Sequence, residues 1–292
     1  MNIQKALLFL VFILMGAWFS ESYAQYDKTP RRKANQDFEQ PNPDITERKH
    51  KQNRFPVQYP PLREANLMWQ KRVWREVDLI QKKNHVFYFP RTPRNGRASL
   101  ASYVFDSIAS GSIVAYENNT PIKFQAPMTP SQFKKNLTTE VQKTKMEQTE
   151  DGLVEVDTTL EVTLKPSDVK RLRLMEDWYF DKERSMFEVR IIGIGFIFDD
   201  GEGDLSVKFW LYYPHARRAL ARSENIVHGG NRAQAYSYAS IFEKRRFSSL
   251  ITKVDNVYDR YIQSYTEQQE TLYEAQRLER DLMLFEQNLW EY

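Results

Sequence analysis

The chain has 292 residues and no cysteine; 41% of its residues are hydrophobic, 14% are aromatic and 28% are charged, and its formal net charge is +3. This length and apolar content are enough to build a hydrophobic core in one or two domains, so fibrous and low-complexity classes are excluded for the bulk of the chain. Disulfide scaffolds, thiolate zinc sites and cysteine nucleophiles are excluded because cysteine is absent. The near-neutral charge gives no support to nucleic-acid binding through a basic field.

Residues 1–24 have the pattern of a secretory signal peptide. Lys5 supplies a positive start, the run 6–19 is almost wholly apolar, and the residues before Gln25 end in Ser-Tyr-Ala24, a small-x-small cleavage site. The apolar run is shorter than the roughly 20 residues that a transmembrane helix needs. Cleavage between Ala24 and Gln25 is therefore favoured over an uncleaved anchor. No lipid anchor and no later membrane span are expected.

Residues 25–61 are rich in proline, basic and amide residues and contain few apolar ones. Such a composition cannot bury enough apolar surface to offset its ordering entropy, so a solvated, disordered arm is expected. The alternative is an arm that becomes ordered on a neighbouring subunit, with Phe55, Val57 and Tyr59 as apolar anchors.

Residues 62–292 are predicted to form one folded α+β domain of mixed strands and helices. The segment 63–82 predicts a short helix followed by a strand, and the polar run Asp181-Lys182-Glu183-Arg184 predicts a hairpin turn. Gly193 and Gly195 lie inside an apolar run, which indicates a buried strand that another backbone approaches closely. Alternating or continuous apolar residues predict strands at 171–174, 178–180, 187–191, 191–198 and 207–213.

A weak internal repeat is also predicted, in which 62–120 and 170–256 are two related halves. Three phrases occur in the same order in both halves: a charged strand (Val73–Ile80 and Met186–Ile192), an aromatic–proline run (Phe87–Pro90 and Leu211–Pro214), and an aromatic–acid phrase (Tyr103–Asp106 and Ser240–Glu243). Short aromatic phrases also recur by chance, so the absence of a duplication stays the alternative.

The C-terminal region 254–291 is predicted to be helical. Apolar residues follow a three-then-four spacing up to Tyr265 and resume it from Ala275, and Thr266 with Gln269 has the spacing of a capping box. The segment from Tyr265 onward carries seven acids and two arginines, so its outer face is acidic. An amphipathic helix packed on its own domain is expected, and docking of this helix on a partner is the alternative.

No catalytic residue, cofactor site or metal site is assigned. The four histidines are isolated, and no nucleophile motif or phosphate-binding glycine loop is present. The acidic turn Asp199–Asp204 offers carboxylates to a calcium ion, but it lacks the length and closing glutamate of an EF-hand loop, so an ordinary turn is expected. Glu176 and Asp177 are the carboxylates that a glycan hydrolase would use. Neighbouring residues of a strand point to opposite faces, which argues against that pairing.

Aromatic and arginine residues occur in clusters that favour an assembly subunit. Protein interfaces are enriched in these residue types, although most of the aromatic residues must build the core. The candidate partner-binding residues are Trp69, Trp74, Arg75, Phe242, Arg245, Arg246, Phe247 and Trp290.

The chain resembles the GldN/PorN family from about Pro61 to its last residue. The acidic turn and Gly195–Phe198 differ from the family pattern. This difference leaves open only the shape of that loop. The residues that carry the resemblance are Trp69–Asn84, Phe87–Pro90, Glu176–Asp181, Glu188–Ile194, Tyr212–Pro214, Ile241–Ser249, Asn256–Arg260 and Phe285–Trp290.

The resemblance implies a non-enzymatic periplasmic subunit of the type IX protein secretion system of Bacteroidota, which also serves gliding motility in some members. It implies a ring of many copies associated with an outer-membrane lipoprotein of the GldK/PorK type, in contact with the periplasmic region of a motor protein of the GldM/PorM type. It implies no catalytic residues. The alternatives from other classes are a periplasmic carboxylate-dependent cell-wall or glycan hydrolase and a peptidoglycan-binding module.

Overall fold

The fold was analysed in a computed structural model, in which residues 55–94, 97–119, 124–149, 152–199, 205–223, 225–226 and 235–289 are described. The predicted signal peptide with its Ala24–Gln25 cleavage site, the arm up to residue 54, most of the acidic turn and Trp290 lie outside these residues.

Eleven strands are described, and seven of them form one antiparallel sheet. They are β1 Leu67–Asp78, β2 Ala115–Glu117, β3 Pro127–Met128, β4 Thr138–Thr149, β5 Gly152–Thr163, β6 Val169–Asp181, β7 Met186–Asp199, β8 Leu205–Tyr212, β9 Asn225–Ile226, β10 Ala235–Tyr236 and β11 Leu250–Val254. The main sheet has the strand order β11-β1-β6-β7-β8-β2-β3. The two remaining sheets are the hairpins β4–β5 and β9–β10.

Six α-helices are found in the described part of the chain: α1 His85–Tyr88, α2 Leu100–Ala109, α3 Pro130–Asn136, α4 Tyr213–Leu220, α5 Tyr238–Glu243 and α6 Gln268–Asn288. Short 3-10 helices cover Glu64–Asn66, Lys82–Asn84, Pro166–Asp168 and Ile262–Ser264. The predicted α+β class is confirmed. The prediction of a short helix followed by a strand over 63–82 is also confirmed, by Glu64–Asn66 and β1.

The hairpin β6–β7 is the centre of the sheet, and its turn lies where the sequence predicts it. Asp181 pairs with Met186, and the Asp181 carboxylate accepts a hydrogen bond of 3.0 Å from the backbone N–H of Glu183. Further along, the register shifts so that Ile192 of β7 has no partner on β6. This bulge lets β7 keep apolar residues on the core face on both sides of it.

Two segments that begin and end with a strand of the main sheet flank this hairpin, β1-α1-α2-β2 and β8-α4-β9-β10-α5-β11. Strand β2 pairs with β8, and β11 pairs with β1. Each segment therefore ends beside the first strand of the other segment. The predicted repeat of 62–120 and 170–256 stays a prediction.

The main core lies between the sheet and the helices α1, α2, α4 and α5. Its largest buried side chains include Phe87, Phe196, Phe209, Tyr213 and Phe242. Rings stack directly in this core: the centroids of Phe196 and Phe209 are 4.8 Å apart, and those of Phe87 and Phe242 are 4.9 Å apart. Burial of this much aromatic surface is the principal source of stability for a sheet covered by such short helices.

Helix α6 covers a second cluster at the β11–β1 end of the same face. Val73 belongs to this second cluster and Val77 to the main core, and both point to one side of β1 because they are four residues apart. The buried positions of α6 are Ala275 and Leu282, seven residues apart, as expected for one helix face. The predicted amphipathic C-terminal helix packed on its own domain is thus present from Gln268 onward.

Residues 254–265, by contrast, do not form the predicted α-helix. The side chain of Asn256 donates hydrogen bonds to the carbonyls of Val254 and Arg260, and its oxygen accepts from the N–H groups of Tyr258 and Arg260. These bonds close a turn in place of helical hydrogen bonds. The predicted capping box also does not form, because the Thr266 hydroxyl donates to the Ile262 carbonyl at 2.8 Å.

A third cluster, with Met175, Ile197, Val207 and Trp210, lies on the opposite face of the sheet. The expectation that another backbone approaches Gly193 and Gly195 is wrong, because side chains fill this space. A Cβ atom on Gly195 would lie 3.0 Å from Val207 Cγ1 and 3.1 Å from the Trp210 ring. The glycines therefore make room for aromatic rings on β7.

Candidate functional site

A carboxylate on β6, Glu176, lies at the centre of the most densely charged part of the core. Its residue is 0% exposed, and Arg245 donates to both of its oxygens at 3.0 and 3.1 Å. Trp178 Nε1 donates to the same carboxylate at 3.2 Å, and Arg75 Nε lies 3.3 Å from Oε2. A buried charge is tolerated only when it is paired and hydrogen-bonded, and Glu176 has both kinds of partner. We call Arg75, Glu176, Trp178 and Arg245 the Glu176 cluster.

The Glu176 cluster joins four elements. Arg75 comes from β1, Glu176 and Trp178 from β6, and Arg245 from the segment after α5. Arg75 also donates at 2.9 Å to Glu279 of α6. Both guanidinium groups lie over the Trp178 ring, at 5.6 and 5.7 Å from its centroid. The cluster therefore fixes the C-terminal helix and the end of α5 to the sheet.

Asp177, the neighbour of Glu176, is engaged on the other face of the sheet. Arg72 donates to its two oxygens at 2.6 and 2.8 Å, and Gln70 donates at 3.1 Å. The hydrogen bond to Asp177 is the main reason why the pKa of Arg72 is raised above its usual value. The two carboxylates point apart and each is held by arginine, so they do not form the facing pair that a glycan hydrolase requires.

The predicted partner-binding residues of β1 are distributed over both faces of the sheet. Trp69 stacks on Phe285 of α6, with ring centroids 4.5 Å apart. Trp74 lies on the opposite face under the ammonium of Lys253, which is 4.6 Å from its ring centroid. Arg75 is 3% exposed, inside the Glu176 cluster. Burial thus gives Arg75 a supporting role in the fold, away from the surface that a partner would meet.

The predicted partner-binding residues in α5 and directly after it also differ in their exposure. Phe242 and Phe247 are buried in the main core, so they pack beneath the surface and do not form part of it. Arg245 is one-third exposed and is bound to Glu176. Arg246 is exposed and lies over the Tyr236 ring at 4.3 Å. Among these four, Arg246 offers the most surface to another molecule.

A groove at the free edge of β7 is a feature that the sequence does not reveal. Strand β8 pairs only with Gly193–Asp199, so the edge of β7 before Gly193 has no strand partner in the described residues. Residues 55–60, which we call the arm segment, run beside this edge. Together they border a cavity of about 290 Å³, which we call the arm groove; its wall residues outside the arm segment are Glu188, Val189, Arg190, Ile191, Tyr213, Arg217, Phe242, Glu243 and Arg245.

Two arginines hold the arm segment in the arm groove. Arg217 donates to the Val57 carbonyl at 2.7 Å, and Arg190 donates to the Pro60 carbonyl at 2.8 Å. The Tyr59 ring contacts both guanidinium groups, at 3.6 Å from Arg217 and 4.9 Å from Arg190. Burial raises the pKa of Tyr59 above its ordinary value. Glu243 accepts from Arg217 Nε at 2.9 Å and so fixes the orientation of that guanidinium.

Helix α6 carries a second apolar stripe, on the side away from the core. Leu272, Tyr273, Met283 and Leu284 are each 47–67% exposed. At 100° per residue these four positions fall within about a third of the helix circumference, in a sector that does not include Ala275 or Leu282. They form two pairs, Leu272–Tyr273 and Met283–Leu284, with Gln276 and Arg280 between them on the same side. A helix that is apolar on two sides is typical of a helix that packs on its own domain and also meets a partner.

The described residues contain no group of three or more histidine, aspartate and glutamate side chains arranged to hold a metal ion. Asp199 ends β7, and the rest of the predicted acidic turn lies outside the description, so the expectation of an ordinary turn stays a prediction. No helix in the described ranges combines the length and apolarity needed to cross a membrane.

Comparison with protein families identifies the chain. A family model described as gliding motility associated protein GldN matches residues 62–291, which include the whole of the main sheet and the whole of α6. A search of curated proteins gave no match. The matched range begins after Pro61, which follows the arm segment, and contains every motif on which the sequence resemblance depends. The chain therefore belongs to the GldN family of gliding motility associated proteins.

Proposed function

We propose that this chain is a non-enzymatic structural subunit of the type IX protein secretion system, acting in protein export and in gliding motility. Membership of the GldN family over residues 62–291 carries the proposal. Residues 1–24 would direct the chain to the periplasm. There it would form a ring with an outer-membrane lipoprotein of the GldK/PorK type and meet the periplasmic region of a motor protein of the GldM/PorM type.

The surface of α6 supports a role in protein–protein contact. Its outer stripe exposes two pairs of adjoining large apolar side chains, Leu272–Tyr273 and Met283–Leu284, which lie about 16 Å apart along the helix. Exposed apolar residues that adjoin one another mark interaction sites more often than scattered ones do. In the ring that we propose, this stripe would face the lipoprotein or the next subunit.

A ring of identical subunits needs two different patches on each copy. When one patch of a subunit meets a different patch of the next, the contact is heterologous and the chain of contacts closes if the rotation allows it. The α6 stripe and the arm groove lie on different elements of the fold. Helix α6 packs on β11 and β1, whereas the arm groove lies at the edge of β7. They are the two patches that we expect such an assembly to use.

Co-expression of this chain with its lipoprotein partner, followed by affinity purification through the lipoprotein and electron microscopy, tests the proposal. We expect closed rings that contain both proteins. A chain that stays monomeric and does not co-purify would overturn the proposal. Leu272→Glu should reduce ring yield because it charges the α6 stripe, whereas Asn288→Glu, an exposed position of the same helix outside the stripe, should leave it unchanged.

A further inference from the structure

We propose that the arm segment is exchanged between neighbouring subunits, so that residues 55–60 of one copy occupy the arm groove of the next copy. This inference rests on the proposed function, since it names the contact that links adjacent copies. It gives the arm groove one occupant, an extended aromatic–proline segment of a second copy of this chain.

The first observation is that the groove binds backbone carbonyls and one aromatic ring of the segment, and the segment of every copy has these groups. Arg217 and Arg190 bind two backbone carbonyls of the segment, and they are 160 and 130 positions away from those acceptors in the chain. The Tyr59 ring is the one side chain of the segment that both guanidinium groups contact. Nothing in these contacts depends on the segment belonging to the same molecule.

The second observation is that the segment fits its own groove incompletely. Phe55 and Val57 are 63% and 80% exposed, and a cavity of about 290 Å³ remains open beside the Tyr59 ring. The segment is tied to the first element of the fold, Glu64–Asn66, by the three residues 61–63, which limits how deeply Tyr59 can reach. A segment from another copy is tied to a different domain, so it can enter the groove from another direction and fill the cavity.

The third observation is the joint between segment and domain. Pro60 and Pro61 are consecutive, and prolines have no N–H to bind back to the domain and favour an extended chain. Pro61 is exposed. Such a joint can direct the segment outward without breaking a backbone hydrogen bond, and exchange of an identical element between copies is a low-cost route to assembly.

The chain before the segment fits the same arrangement. Residues 25–54 carry eight basic and five acidic residues, whereas the segment from Tyr265 to the end carries two basic and seven acidic ones. The opposite net charges of these two sequences favour contact between copies over repulsion.

The absence of cysteine allows a direct test by disulfide trapping. Val57 and Ser240 line one cavity beside the arm groove, so cysteines are placed at these two positions. Chains carrying Val57→Cys and chains carrying Ser240→Cys, with tags of different size, are co-expressed with the lipoprotein, and purified rings are oxidised. We expect a disulfide-linked heterodimer on a denaturing gel, and a ladder of linked chains from rings of the double variant. Rings of Val57→Cys chains alone are the control for nonspecific linkage.

The outcomes separate the two proposals. Rings of the double variant that yield only internally linked single chains would overturn arm exchange and leave the proposed function intact. If the parent chain forms no rings with its lipoprotein, the proposed function fails and arm exchange fails with it.

A second variant pair tests the role of Tyr59. Tyr59→Ala removes both contacts with guanidinium groups and should lower the linked fraction about tenfold or more. Tyr59→Phe keeps the ring and should stay within about twofold of the parent. Tyr59 lies outside the three hydrophobic clusters, so both variants should keep the circular dichroism spectrum of the parent. Equal linkage in Tyr59→Ala and the parent would contradict the inference.

Discussion

Replacing Glu176 by glutamine removes one negative charge from the Glu176 cluster and keeps the size of the side chain. The carboxylate now accepts two hydrogen bonds from Arg245 and one from Trp178, and it lies 3.3 Å from the Arg75 guanidinium. A glutamine amide nitrogen would face donors instead of accepting from them. The substitution leaves two guanidinium groups competing for a single oxygen.

The expected loss in the free energy of unfolding follows from the burial of each partner. Removing one member of a buried ion pair costs about 3–5 kcal/mol. Arg245 is 33% exposed and can regain water, and Arg75 keeps its bond to Glu279. We therefore expect about 3 kcal/mol, at the lower end of the range. For a domain of this size that corresponds to a fall in Tm of about 6–12 °C.

Urea unfolding followed by tryptophan fluorescence measures this loss, on the chain expressed without residues 1–24. Glu274→Gln is the matched control, because Glu274 pairs with Arg277, whose side chain is 61% exposed. A surface pair of this kind contributes about 1 kcal/mol or less. A loss for Glu176→Gln no larger than that of the control would refute the reasoning that the cluster is dry and charge-coupled.

A double variant keeps the test decisive if Glu176→Gln does not fold. Glu176→Leu combined with Arg75→Met removes the carboxylate together with its most buried cationic partner. Replacement of a buried pair by apolar residues of similar volume is often neutral or stabilising. The double variant should therefore be more stable than Glu176→Gln. A double variant that is less stable would show that packing, and not charge, dominates at this position.

Three further outcomes are expected. Gly195→Ala should lower the free energy of unfolding by about 1–3 kcal/mol in the same assay, because its Cβ meets Trp210 at 3.1 Å. Thr129→Ala should cost about 1 kcal/mol, because its hydroxyl oxygen accepts from the Gln132 N–H in the capping box of α3. Burial is the main cause that raises the pKa values of Tyr179 and Tyr213. The stability that this confers is complete below the unfolded value of about 10 and is lost as the pH rises through the folded values, so both phenols should ionise only with unfolding in a tyrosinate absorbance titration.

The order of polar and apolar residues was enough to predict the elements that depend on residues close together in the sequence. The turn after Asp181 was predictable because four polar residues separate two alternating strands. The helix that buries Ala275 and Leu282 was predictable because its apolar spacing is regular. In both cases the signal comes from residues that are close together in the sequence.

The predictions for residues 254–265 and for Gly195 were wrong because a side chain takes the place where a backbone group was expected. The apolar spacing after Val254 resembles a helix, yet Asn256 closes a turn with four hydrogen bonds. Gly195 was expected to admit a backbone and in fact admits the Trp210 ring. Spacing alone does not report which distant residue fills a gap.

The candidate site shows the same limit. Arg75 and Phe242 belong to clusters whose composition suits an interface, and the sequence cannot tell a buried arginine–aromatic cluster from an exposed one. The fold decides, since Arg75 points to the covered face of β1 and Phe242 into the main core. The arm groove was not predictable, because Arg190 and Arg217 come together only through the end of β8 and the start of α4.

The pairing of β2 with β8 and of β11 with β1 has a consequence for the stage of synthesis at which the sheet can form. Trp74, near the start of the fold, pairs with Lys253, so β1 stays incomplete until nearly the whole chain is available. Pairings this distant in sequence form slowly, because the intervening loop must first be closed. A chain threaded through a membrane from its N-terminus would thus emerge without a finished sheet to obstruct its passage. It would close its fold only on the far side.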